Sequence, residues 1–310
     1  MAGLEVLHDS PNAKVDIVFV HGLHGDSRNT WKDGSVFWPA DLLPANVPDA
    51  RILTFGYDAN IAHFWSRPSD SSLDMFSADL FQQLEHLRFI TETTELPIIF
   101  VAHSLGGLGL VDAATGPDDT KKLANNVRCI AFLGTPHQGS DKAKWAESAG
   151  TFLGYFKTIN IETAKNLDPR SDKLAKLGVQ FPVLLNSRAR TPDRGIEVVC
   201  FYEGLSMRRC GIDLGKIVNA PSACLSGYPR MLLDADHEGI CKFKDKNNVN
   251  YRRVSGQSAK WAKQLSSLEK KDNLRKETSS VYATFEGSTN YGLQLGNNTG
   301  TLSGFSFGKA

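Results

Sequence analysis

The run Pro97-Ile98-Ile99-Phe100-Val101-Ala102-His103-Ser104-Leu105-Gly106-Gly107 constrains this chain more than any other part of it. Ile98 to Val101 are apolar or β-branched and read as a short, fully buried strand. The small residues Ala102, Gly106 and Gly107 bracket Ser104 where that strand has to turn sharply into a helix. A serine on such a strained turn projects its hydroxyl clear of the sheet, and small residues two before and two after it let strand and helix pack closely. The stretch reads as a nucleophile elbow, with Ala102 standing where a glycine is usual.

A length of 310 residues fits one large domain followed by a tail. Lys and Arg number 35 against 34 Asp and Glu, a net charge of +1, which leaves no broad basic footprint for nucleic acid. The five cysteines, 129, 200, 210, 224 and 241, are odd in number, scattered and free of C-x-x-C spacing. That pattern argues against a disulfide framework or zinc site and for a reducing compartment. The first ten residues lack a basic region followed by an apolar run, and no stretch approaches the length of a membrane span. A soluble, cytoplasmic protein with no metal and no cofactor is the expectation.

Other segments have the same punctuation. Val15 to Val20 reads as a buried strand running into His21-Gly22-Leu23-His24-Gly25-Asp26, a glycine-flanked turn that exposes backbone amides. The amides of Leu23 and Leu105 are the candidates for an oxyanion hole; the alternative is a simple turn with two solvated histidines. Thr30 to Pro44, aromatic and broken by prolines, reads as a packed loop with one helical turn. Strands are expected at Arg51 to Phe55, Val127 to Leu133 and Ile196 to Tyr202. Helices are expected over Leu73 to Leu87, Gly106 to Ala114, Ser171 to Leu185 and around Trp261, Leu265 and Leu268. Strands alternating with helices predict a mostly parallel central sheet with helices on both faces.

Four segments carry a family resemblance: V-F-V-H-G-L-H-G-D, V-A-H-S-L-G-G, F-L-G-T-P-H-Q-G-S and D-A-D-H-E-G-I-C-K-F. From about Val15 to about Leu265 the chain resembles the α/β-hydrolase superfamily. Within it, the resemblance is to lipase-like serine esterases related to the glycosylphosphatidylinositol inositol-deacylase family, including the hydrolase domains that fungi carry at the head of NOD-like receptor proteins. The resemblance implies a Ser, acid, His triad acting on an ester. Ser104 is then the nucleophile, and Glu203, at the end of the Ile196 strand, stands where the superfamily places its acid. Asp213, Asp234 and Asp236 are its rivals. His237, in the loop Leu233 to Gly239, is the histidine; His21, His24 and His137 are expected to line the pocket and His103 to point away from it. Lys142 to Phe156, with Trp145, Ala149, Phe152, Leu153 and Phe156 at helical spacing, is either a lid or core packing.

Composition changes near Lys270. Residues 1–272 read as the hydrolase domain and 273–310 as a disordered, prion-like tail. Asn290, Gly292, Gln294, Gly296, Asn298 and Gly300 recur at two-residue spacing, with Tyr291, Leu293 and Leu295 between them. An extended chain would put amides and glycines on one face and apolar groups on the other, and in-register stacking would let the amides form ladders. This run is similar to the pseudo-palindromic amyloid signalling motifs of fungal cell-death effectors, themselves similar to the RIP homotypic interaction motif of animals. The resemblance implies templating by a NOD-like receptor with a matching motif, self-assembly of the tail and damage to a membrane surface. Three readings stand: an esterase on lipid or other ester substrates with a polymerising tail, a catalytically silent scaffold or toxin, and a plain cytosolic lipid esterase with a disordered tail.

Overall fold

The computed structural model of the chain describes residues 3–22, 25–57, 71–115, 121–137, 172–191, 194–209 and 211–279. The helix expected over Lys142 to Phe156 and the tail motif from Asn290 to Gly300 lie outside them. Two compact units divide the chain, Met1–Lys263 and Gln264–Ala310. The first holds every strand described below. Of the second, the described part is helical, residues 264–279.

The strands of three or more residues are Gly3–His8 (β1), Val15–Val20 (β2), Ala50–Gly56 (β3), Ile98–His103 (β4), Val127–Leu133 (β5), Glu197–Glu203 (β6), Met207–Arg209 (β7), Ile212–Gly215 (β8) and Arg230–Leu233 (β9). Seven form one sheet in the order β1-β3-β2-β4-β5-β6-β9, in which β1 runs antiparallel to β3 and every other pairing is parallel. β7 and β8 make a separate antiparallel hairpin. The longer helices are Ser71–Ile90 (α1), Leu105–Thr115 (α2), Asp172–Ala189 (α3) and Val249–Ser279 (α4).

Parallel strands covered on both faces read as near-continuous apolar runs, and β2 and β4, apolar but for Asp16 and His103, are buried at all six positions. Alternate residues serve different layers. Val18 and Val20 join Phe76, Leu80 and Leu84 of α1, Leu108 and Val111 of α2, and Leu177 and Phe181 of α3 in one cluster. Phe19, pointing the other way, lies edge-on to Trp31 and Trp38, each 5.0 Å away. Trp38 in turn meets Phe243 and Tyr251. The aromatic loop is therefore core, as its composition suggests, but it holds more than the one helical turn expected: besides the short helix Trp38–Asp41 it has 3-10 turns at Asn29–Trp31 and Leu43–Ala45 and a small hairpin of Lys32–Asp33 with Val36–Phe37. Among the described residues no helix is long and apolar enough to cross a membrane.

One charged cluster lies under the sheet. Asp16 of β2 is fully buried and receives Arg51 Nε and Nη2 at 2.8 and 3.0 Å and Arg88 Nη1 at 2.6 Å. Arg51 also donates to the hydroxyls of Thr91 and Thr93, and Arg88 to the Thr94 carbonyl, so the loop after α1 closes the cluster. Removing one member of such a set leaves uncompensated buried charge. Asp16→Asn is expected to cost about 3–5 kcal/mol of stability. Urea denaturation followed by tryptophan fluorescence measures it, and a midpoint equal to wild type would show that the cluster contributes nothing.

Candidate active site

Ser104 follows β4 directly and adopts φ +54°, a left-handed conformation that non-glycine residues adopt rarely. Its amide donates to the Leu133 carbonyl at 2.9 Å and its carbonyl accepts from Gly107, so both sides of the turn are tied. The glycines after it are required by contact. A Cβ at Gly106 would lie 2.2 Å from the His21 carbonyl oxygen, and one at Gly107 would lie 2.2 Å from Thr135 Oγ1. α2 can start against the end of β2 because those positions lack side chains. Ala102, buried among the helices' apolar residues, has room for its methyl group.

His237 comes to the serine from the loop after β9. Its Nε2 lies 3.0 Å from Ser104 Oγ, and its Nδ1 lies 2.7 Å from Glu203 Oε1. Glu203, the last residue of β6, is fully buried, and its oxygens accept the amides of Ile217 and Val218 at 2.9 Å each. The chain leaves Glu203 through the β7–β8 hairpin and returns to bind its carboxylate. Gly134, at φ +57°, ends β5 beside this pair, and a Cβ there would lie 3.2 Å from His237 Nδ1.

Two of the rival carboxylates are engaged elsewhere. Asp236 Oδ1 caps the Gly239 amide at 2.8 Å, and Asp213, half-exposed on the hairpin, accepts from Gly215 and faces Arg208. Asp234 exchanges two backbone bonds with the Asn250 side chain. Leu105 opens α2, so its amide has no acceptor within the helix. Leu23 lies outside the described residues; of its turn, Gly25 N–H donates to the Gly22 carbonyl at 3.2 Å.

The other histidines fall in different settings. His21 is fully buried and tied on both ring nitrogens: Nδ1 donates to the Gly22 carbonyl at 2.9 Å and Nε2 accepts the Tyr57 amide at 3.2 Å. Its ring stacks on Tyr57, whose hydroxyl donates to the His21 carbonyl. His21 thus braces the turn. His137 lies edge-on to Phe132, and His24 is outside the described residues. His103 does not point away: its Nε2 lies 2.9 Å from the His237 carbonyl oxygen. Sequence adjacency to Ser104 misled here, because the left-handed turn folds the serine back beside its own predecessor. Tyr57 carried no motif, and its partnership with His21 is long-range.

A buried, mostly parallel sheet whose strand β4 runs through a left-handed serine into a helix defines the α/β-hydrolase fold. The chain is similar to Protein SERAC1 of Danio rerio, 31% identical over 281 aligned positions that cover 81% of this chain and 40% of that protein. It is 26% identical over 279 positions to Protein SERAC1 of Homo sapiens, with the same shares covered. The chain thus spans less than half the length of these curated relatives. Residues 280–304 match the family described as the SesB domain on fungal death-pathway protein. Similar solved structures include the mature lipase BlEst2 of Bacillus licheniformis, 18% identical with TM-score 0.47 over 81% of this chain and 97% of that one. Another is a putative aryl esterase from Burkholderia cenocepacia, 13% identical with TM-score 0.42 over 85% and 94%.

Burial lowers the pKa of His21 to about 4 and of His137 to about 3, and it holds His103 well below the usual histidine range. The folded protein keeps these rings neutral where the unfolded chain, titrating near 6.5, takes up protons. Stability should therefore fall as pH drops from about 7 toward 4, by up to about 1.4 kcal/mol per pH unit for each ring. Urea midpoints across that range test this, and His137→Gln should remove one ring's share of the slope; an unchanged slope would contradict it.

Proposed function

We propose that this chain is a serine carboxylic ester hydrolase of the lipase and esterase class, with Ser104 as nucleophile, His237 as general base and acid, and Glu203 as the orienting carboxylate. The observation that carries the reading is His237 held on both ring nitrogens, by Glu203 at 2.7 Å and by Ser104 Oγ at 3.0 Å. With Nδ1–H donated to the carboxylate, Nε2 carries the lone pair that takes the serine proton as Oγ attacks an ester carbonyl. Glu203 stabilises the imidazolium so formed. The amides of Leu23 and Leu105 are proposed to hold the oxyanion, a role supported by Leu105 opening α2. The imidazolium then protonates the leaving alkoxide, and water repeats the cycle on the acyl-enzyme.

Ser104→Ala and His237→Ala should each lower hydrolysis of a soluble ester by roughly a thousand-fold or more without loss of fold, since the members act as one unit. Glu203→Gln should cost more activity than Asp234→Asn or Asp236→Asn. Fluorophosphonate labelling separates this reading from the silent scaffold or toxin. Covalent capture of Ser104 requires an activated nucleophile, and a folded wild-type chain that stays unlabelled would favour the scaffold.

The tail extends the reading. The match of residues 280–304 to a domain of fungal death-pathway proteins supports a role for the segment in cell-death signalling. We infer that its N-x-G-x-Q-x-G run stacks into cross-β fibrils, that a NOD-like receptor with a matching motif templates the stacking, and that clustering brings the hydrolase to a lipid surface. A peptide of residues 278–310 should form fibrils, and Gln294→Lys should block them, because like charges would then repeat at about 4.8 Å along the fibril. Thioflavin fluorescence with fibre diffraction decides. Equal fibril formation by both peptides, or none by the wild type, would leave a plain esterase with an unstructured tail.

A further inference from the structure

Two consecutive residues of the elbow grip the same residue of a distant loop. Ser104 meets the ring of His237 at Nε2, and His103 meets its main chain, with Nε2 2.9 Å from the carbonyl oxygen. A carbonyl oxygen only accepts, so His103 carries its proton on Nε2 and donates it. Nδ1 is then an acceptor, buried and without a partner. Burial, reinforced by the neighbouring His237, keeps the His103 ring neutral. The two imidazoles lie 5.0 Å apart.

The His103 ring has little room to move. A Cβ at Gly22 would lie 3.2 Å from its Nδ1 and 2.7 Å from Ser104 Cβ, so the turn after β2 closes directly over residues 103 and 104. The loop bearing His237 has other ties, but they lead to other places. The amides of Gly204 and Leu205 hold the Ala235 carbonyl and join the loop to the strand of Glu203. Trp38 Nε1 holds the Cys241 carbonyl and joins it to the aromatic loop. The bond from His103 joins it to the strand of the nucleophile.

We propose that His103 is a positioning residue for His237: together the dipeptide His103-Ser104 clamps His237 by carbonyl and ring, so that the distance from Nε2 to Oγ is set within the elbow itself. The proposal rests on the hydrolase reading above. In it His103 touches no reacting atom. It fixes where the base stands, and it does so as a neutral donor, because a cation so close would oppose the imidazolium that His237 becomes.

The test compares full-length wild type with His103→Gln and His103→Leu, each checked for fold by circular dichroism. Glutamine can place an amide N–H near the position of Nε2, whereas leucine fills the space and cannot donate. The readouts are the rate of fluorophosphonate inactivation and kcat and KM for a soluble short-chain ester. For the leucine variant, inactivation rate and kcat should fall about 10- to 100-fold, the scale of a misplaced catalytic group, with KM within about twofold. The glutamine variant should stay within about threefold of wild type. A leucine variant at the wild-type rate, or a glutamine variant slowed as much as leucine, overturns the positioning role and leaves the hydrolase reading intact. If the leucine variant does not fold, His103→Asn replaces it, since its amide is too short to reach the carbonyl; equal rates for glutamine and asparagine overturn the role. An unlabelled wild type overturns the hydrolase reading, and the positioning role with it.

Discussion

The left-handed backbone at Ser104 is the constraint on which the C-terminal edge of the sheet depends. A non-glycine residue at φ +54° costs of order 1–3 kcal/mol and persists only when its surroundings over-determine it. Here they do. Bonds to Leu133 and Gly107 fix the turn on both sides, and Gly106 and Gly107 admit the His21 carbonyl and Thr135 to within contact of α2. The same closeness brings Gly22 over residues 103 and 104, so the turn after β2, the elbow and the loop of His237 meet at one point.

Two fully buried carboxylates in this fold illustrate opposite uses of charge. Asp16 is neutralised by two guanidinium groups and knits β2, β3 and the end of α1 together. Its charge is fully spent on fixed partners. Glu203 instead accepts two neutral amides and the ring of His237. Neutral donors satisfy its lone pairs without cancelling its charge, which suits the orienting role proposed for it. The β7–β8 hairpin, leaving and rejoining at Glu203, is the element that supplies those amides.

Segments whose structure follows from local pattern are legible in the sequence. Val15 to Val20 and Val127 to Leu133 are strands over just those residues, and most other expected elements shift by a few residues at their ends; the last helix, Val249–Ser279, is far longer than expected and runs past residue 272, after which the tail is expected to begin. Two sheet strands carry too weak a signal to be read. β9, Arg-Met-Leu-Leu, has four residues and lies largely exposed at an edge, and β1 alternates over only a few positions. Both are strands because a neighbour offers a hydrogen-bonding edge, a condition no local pattern contains.

The sequence by itself determined the class of sheet, the turn at Ser104 and the chain order of serine, acid and histidine, because apolar runs and glycine punctuation act over a few residues. Only the tertiary structure decided which carboxylate meets His237. Glu203, Asp213, Asp234 and Asp236 are chemically similar, and the choice is made by distance, with Asp236 and Asp213 already engaged in a local cap and a turn. It also decided that Asp16 is buried with Arg51 and Arg88, and that His103 faces the His237 main chain rather than away from it. Each of these contacts joins residues 35 or more positions apart, or, for Glu203 and His237, 34, so it exists only once the sheet has brought its strands together.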